Sequence, residues 1–171
     1  TFNNLTLTDI FCSSQVIMPQ SGDILIAGGD NWTGTSTTNT GNNNTNIFNP
    51  ASNTLTRAAN LNAARWYSSS TVLVNGDIYI QGGNSGGGAN PEVRQQNGTF
   101  RFLGTADTSG YTATFPHNFV APDGRIFGYD AEGRMYYVAT GGTGSVTALG
   151  QFSSANAGSG SGAGMFAPGK I

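Results

Sequence analysis

Histidine and cysteine each occur only once in these 171 residues, at His117 and Cys12. A single cysteine cannot close a disulfide within the chain, which leaves Cys12 as a free thiol, half of an intermolecular bridge, or a participant in other chemistry. Charge is equally scarce. Seven Lys and Arg against nine Asp and Glu give a net charge of −2, so no basic stripe exists to neutralise phosphates, and nucleic acid is not an expected partner. No apolar run approaches the ~18–20 residues of a membrane span, and no membrane partner is expected. Residues 1–15 lack a charged segment followed by an apolar core, so they are read as lying beyond any export leader. No ten-residue stretch carries the periodicity of an amphipathic helix.

What the sequence does have is glycine, 26 residues of it, among many Asn, Ser and Thr. Such a composition can mean disorder, but 37% hydrophobic and 11% aromatic content points to a packed protein with many turns. The length suits one domain with a sizeable core. Four tripeptides, Asn4-Leu-Thr6, Asn31-Trp-Thr33, Asn43-Asn44-Thr45 and Asn97-Gly-Thr99, have the form of glycosylation acceptors. With the low charge they lead to the expectation of a secreted, extracellular protein.

Internal repetition sets the fold expectation. "GDILIAGGD" begins at Gly22, "GDIYIQGGN" at Gly76, "GRIFGYDAEG" at Gly124 and "GKI" at Gly169, at intervals of about 45–55 residues, close to one blade of a β-propeller. In the first three copies a turn signal (Gln20-Ser21-Gly22, Val74-Asn75-Gly76, Pro122-Asp123-Gly124) precedes a short β-branched and aromatic run, the pattern of a hairpin. Gly28-Gly29 and Gly82-Gly83 end the run in the first two copies, where an absent Cβ lets backbones approach near a central axis. No helix pattern follows them, which argues against a phosphate cradle.

Residues 46–58 and 92–104 read as further strand pairs, and "MYYVAT" (135–140) with "SVTALGQF" (145–152) as another hairpin. The polar runs 33–46 and 153–164 are expected as exposed loops. The expected fold is therefore all-β: about three and a half of seven kelch-type propeller blades, forming one partial β-propeller domain over 1–171. The remaining blades of the same propeller are an expected partner. The carboxylates of "DNWTG" and "DAEG" lack calcium-loop spacing, and Asp130 to Gly133 reads as a turn.

"DIFCSSQ" at 9–15, followed one repeat later by "NAARWYSSSTVLVNGDIYIQGG", resembles the front half of the galactose oxidase and glyoxal oxidase family of copper-radical oxidases. Less diagnostic likeness continues through "FPHNFVAPDGRIFGYDAEGRMYYV" and "MFAPGKI". The resemblance implies a thioether between Cys12 and Tyr67, with Tyr67 as a copper ligand and seat of a radical. It also implies oxidation of a small alcohol, aldehyde or carbohydrate by O2, giving H2O2. The physical case stands beside it: sulfur ortho to a phenol oxygen delocalises an unpaired electron and makes the phenoxyl easier to form. The alternative for Cys12 is a small buried hydrophobe.

Two features depart from that family. His117, in "FPHNF", does not match its ligand motifs, so the remaining copper ligands are expected outside this chain, and His117 reads as a blade-edge histidine. The tryptophan that shields the radical in galactose oxidase is replaced by Ser85 in "GGNSGGG". Trp66, in the "RWY" of the glyoxal-oxidase-like branch, is a candidate cofactor-binding residue or a blade-packing aromatic. Arg65 is either a structural ion-pair and carbonyl-binding residue or a substrate contact. The competing function is a non-catalytic kelch-like segment for glycan or protein binding.

Overall fold

The computed structural model describes residues 5–33, 36–83, 90–158 and 160–171. Three four-stranded antiparallel sheets follow one another along the chain. The first comprises β1 (Ser14–Ile17) and β2 (Ile24–Ala27), then, after a separate two-stranded hairpin β3 (Asp30–Thr33) and β4 (Ser36–Gly41), β5 (Thr45–Asn49) and β6 (Thr54–Arg57). The second is β7 (Ser68–Val72), β8 (Ile78–Gly82), β9 (Glu92–Arg94) and β10 (Phe100–Phe102). The third is β11 (His117–Val120), β12 (Ile126–Tyr129), β13 (Arg134–Ala139) and β14 (Ser145–Gln151). Each sheet is a meander whose strands pair in chain order, and the first strands of successive sheets, β1, β7 and β11, are neighbours. This is the partial propeller expected from the repeats. Beyond β14 the described residues hold one 3-10 turn, Ser154–Asn156, and an isolated bridge between Ala167 and Lys170, so the half-unit at "GKI" contributes no strand.

The repeated turns do what their sequences require. Gly22, Gly76 and Gly124 adopt φ of 76°, 83° and 85°, the left-handed region open to glycine. Their N–H groups donate to the carbonyls of Met18, Leu73 and Ala121 at 2.9 Å each.

Period-two alternation then builds a core between each pair of blades. Along β8, Ile78 and Ile80 face the first blade and join Met18, Leu25, Ala27 and Leu61. Tyr79 faces the third blade and joins Leu73, Val93, Ile126, Tyr136 and Val138. A strand sandwiched in this way is apolar on both faces, and every residue of β8 is buried. Tyr79 and Tyr136 satisfy their hydroxyls through Gln81: Tyr79 donates to Gln81 Oε1 (2.7 Å), and Gln81 Nε2 donates to Tyr136 Oη (2.8 Å). Moving outward the sheets become exposed, and β14 is open along most of its length.

One sequence expectation is overturned. The polar run 33–46 is not a long loop but largely a hairpin leading into β5. The Asp30 carboxylate pins it, with Oδ1 accepting from Asn31 N (2.8 Å) and Thr40 N (3.0 Å). Its strands carry no apolar alternation because the exposed hairpin has no core face to fill, so the usual strand signal is missing. β-branched threonines still favour the extended backbone.

Two outcomes follow for stability. Ile80→Ala, at a fully buried site between blades, costs roughly 2–5 kcal/mol and lowers the urea midpoint without changing the slope. Burial holds the Tyr79 and Tyr136 hydroxyls above the ordinary value of 10.0. Below that pH both states keep these protons; above it the unfolded chain loses them first, so stability falls as pH rises beyond about 10. Denaturation midpoints measured from neutral to strongly alkaline pH check this.

Candidate functional site

Each blade is preceded by a lead-in segment, and the lead-ins stack around the inner end of the sheets. Cys12, Tyr67 and Phe115 are non-glycine residues with left-handed φ of 58°, 67° and 49°. They sit in the corresponding place of three successive units, just before β1, β7 and β11. Left-handed backbone is uncommon outside glycine. Its repetition here coincides with a hydrogen-bond ladder: Tyr67 N donates to Cys12 O (3.0 Å), and Phe115 N donates to Tyr67 O (2.8 Å).

The glycine pairs make this stacking possible. Gly29 N donates to Arg65 O (2.8 Å) and Gly83 N donates to Ala113 O (2.7 Å). A Cβ on Gly28 or Gly82 would collide with the same two carbonyls. The pairs thus receive the following blade's lead-in.

The ladder brings side chains together. The Cys12 side chain lies close enough to the Tyr67 hydroxyl to raise the phenol above its ordinary value of 10.0, with burial and the Asp30 charge adding to the shift. Trp66 stacks on the Tyr67 ring, with centroids 4.1 Å apart and planes 28° apart. Phe115 leans on the same ring at 4.6 Å. Cys12, Tyr67 and Trp66, singled out from sequence, therefore lie in one cluster. Phe115 was missed. The signal was available in its register, since it precedes its blade's first strand as Tyr67 precedes β7. Ser85 lies outside the described residues.

Arg65 locks the cluster from beneath. Its side chain is fully buried and pairs through Nη2 with the equally buried Glu92 (2.9 Å), while Nη1 donates to Gly82 O and Nη2 also to Asn90 O, both at 2.7 Å. Glu92 Oε2 also accepts from Asn62 N and Nδ2. Every charge is answered, as a buried ion pair requires, and the structural and carbonyl-binding role holds. His117 stacks on Tyr129 (4.6 Å), and its Nε2 lies 3.4 Å from Ser161 Oγ and 3.5 Å from Gly158 O.

A copper ion bound by nitrogen and oxygen ligands would find one donor in this cluster, the Tyr67 oxygen. Among the described residues no group of three or more His, Cys, Asp or Glu side chains is placed to hold a metal, so the cluster could supply part of such a centre and not all of it.

No protein-family model and no curated protein sequence matches the chain. Solved structures do. One is a fungal alcohol oxidase, described as having catalytic diversity among the AA5 family and solved in complex with copper; it is 23% identical with a TM-score of 0.66 over 84% of this chain and 30% of its own. Another is the virginiamycin B lyase of Staphylococcus aureus, 15% identical with a TM-score of 0.53 over 86% of this chain and 44% of its own. The shared property is the propeller-like all-β fold. The chain spans about a third of the length of the oxidase it matches.

Removing the buried cation tests the support beneath Tyr67. Arg65→Met leaves Glu92 buried and uncompensated and costs about 3–5 kcal/mol, whereas the double change Arg65→Met with Glu92→Leu recovers much of that loss. Denaturant titration of the four-member cycle measures it.

Proposed function

We propose that this chain is the front portion of a copper-radical oxidase, in which Cys12 and Tyr67 are joined through a thioether and the Tyr67 oxygen is one copper ligand. The observation that carries the reading is the Cys12 thiol set against the Tyr67 hydroxyl, by a backbone register that also brings Trp66 and Phe115 onto the ring. The fold likeness to a copper-containing alcohol oxidase supports it. So do the two motifs, one per blade, in which the cysteine and tyrosine occur.

Bound copper would supply one-electron redox chemistry with O2 as the terminal oxidant. The chain's own residues prepare the tyrosine for its part. Forming the thioether makes a carbon–sulfur bond at the ring position ortho to the hydroxyl and breaks the S–H and ring C–H bonds. Two protons and two electrons leave, and O2 takes them up as H2O2. The sulfur then shares the unpaired electron of the oxidised ring. Trp66 and Phe115 cover that ring and limit the access of water and reductants, as closed sites do for reactive intermediates.

The overall reaction takes two hydrogens from a primary alcohol or an aldehyde hydrate, again giving H2O2; a carbohydrate carrying such an alcohol is within the substrate class. The other metal ligands come from remaining blades, so this chain alone is expected to be inactive. An extracellular setting suits the scarce charge and the four acceptor tripeptides.

Peptide mass spectrometry of the protein with its remaining blades, after aerobic incubation with Cu(II), tests the reading. The expected product is a linked pair of peptides containing Cys12 and Tyr67, lighter by two hydrogens than their sum and absent in Cys12→Ser. If Cys12 stays fully alkylatable after that treatment, the reading fails in favour of a non-catalytic kelch-like scaffold.

A further inference from the structure

Beside the Cys12 lead-in, a cleft of about 480 Å³ opens between that segment and the β3–β4 hairpin. Its walls are polar: Thr8, Asp9, Asp30, Asn31, Asn42 and Asn44 line it, and none of its lining residues is basic. Asp30 is wholly buried. Its Oδ1 is occupied by Asn31 N, Thr40 N and Thr38 Oγ1 (3.3 Å), but its Oδ2 is buried with no partner. Asp9 shows the same division: Oδ1 accepts from Phe11 N (2.8 Å), and Oδ2 is buried without a partner.

The two segments are held in this relation by one amide, since Asn42 Nδ2 donates to both Asp9 O (2.8 Å) and Asp30 O (2.6 Å). Two buried carboxylate oxygens without donors, on side chains that line one cleft with no basic residue in its wall, are costly for a fold to keep.

We infer that this cleft binds a hard divalent cation, Ca²⁺ in preference to softer metals, through Asp9 Oδ2 and Asp30 Oδ2, with the remaining positions filled by oxygens of the polar wall and by water. The donor set decides the metal class. All the donors are oxygens and neither sulfur nor imidazole lines the cleft, which matches calcium or magnesium rather than zinc or copper. A roomy, irregular wall favours the larger ion, which accepts six to eight ligands in flexible geometry.

The site has no loop motif because its ligands come from two segments, Asp9 before β1 and Asp30 at the start of β3, brought together only by folding. The Asp9 carboxyl is raised above its ordinary value chiefly by burial, against the Phe11 N–H, with a smaller contribution from the Asp30 charge. A bound ion would brace the lead-in three residues before Cys12 against the hairpin. The inference does not depend on copper or on the thioether, and either could fail without the other.

The experiment is Tb³⁺ luminescence on the 171-residue chain, excited through its tryptophans and tyrosines, with Ca²⁺ as competitor and thermal unfolding as a second readout. Sensitised Tb³⁺ emission displaced by Ca²⁺, with a dissociation constant on the order of 10⁻³ M or tighter, and a rise in Tm with Ca²⁺ are the expected results. Asp30→Asn and Asp9→Asn each weaken binding by about tenfold or more, because affinity follows the count of ligand charges. Should one variant fail to fold by circular dichroism, the other decides. No displaceable Tb³⁺ signal in the unaltered chain, or unchanged affinity in a folded variant of either aspartate, overturns the inference.

Discussion

Each blade's lead-in hydrogen-bonds the one before it, and the rest of the structure depends on that stacking. The ladder from Cys12 O to Tyr67 N and from Tyr67 O to Phe115 N fixes three chain segments some fifty residues apart in one register. It can form only because glycine pairs end β2 and β8, where a side chain would collide with the incoming carbonyls. The apolar cores on either side of β8 supply the driving force, but apolar burial is non-directional and would tolerate a sliding of one sheet on the next. The ladder and the buried Arg65–Glu92 pair supply the direction.

That division of labour explains where the chemistry-bearing residues sit. A left-handed residue turns its side chain differently from its neighbours in extended backbone, and Cys12, Tyr67 and Phe115 all use this conformation at the mouth of their blades. The thiol, phenol and phenyl ring converge because the conformation recurs with the repeat. Strained backbone of this kind persists where its surroundings over-determine it. Here hydrogen bonds hold both sides of Tyr67, through its N–H and its carbonyl, and the fully paired Arg65 anchors the chain two residues before it. The same lead-in that carries Cys12 also carries Asp9, so two distinct chemistries, a sulfur beside a phenol and a pair of unpartnered carboxylate oxygens, share one short segment.

The blade unit was legible because each repeat writes its own turn. Asn75-Gly76 and Asp123-Gly124 need glycine for φ, and the runs after them alternate for a strand packed on one or both faces. Cys12, Tyr67 and Trp66 could be selected together because they occur in two short motifs at matching places of successive repeats. The hairpin at β3 and β4 was not legible. Asn31, Ser36, Thr38, Asn39 and Thr40 are exposed, and an exposed hairpin leaves no apolar period to read. Phe115 was passed over because a phenylalanine before a proline reads as an ordinary turn hydrophobe until its register is set beside that of Tyr67. Arg65 left two roles open in the sequence, and burial against Glu92 settled them.

By itself, the sequence determined the type of repeating unit and the positions of its turns, because these depend on local conformational preference and on residue type; the pairing of Cys12 with Tyr67 came from the resemblance to a known family. Only the tertiary structure decided which atoms meet. The closeness of the Cys12 and Tyr67 side chains, the aromatic cover on that ring, and the sharing of one cleft by Asp9 and Asp30 all arise from separate segments of the chain. For Asp9 and Asp30 the spacing carries no period or motif. All three are set by how closely one sheet can approach the next, and that distance is fixed by packing.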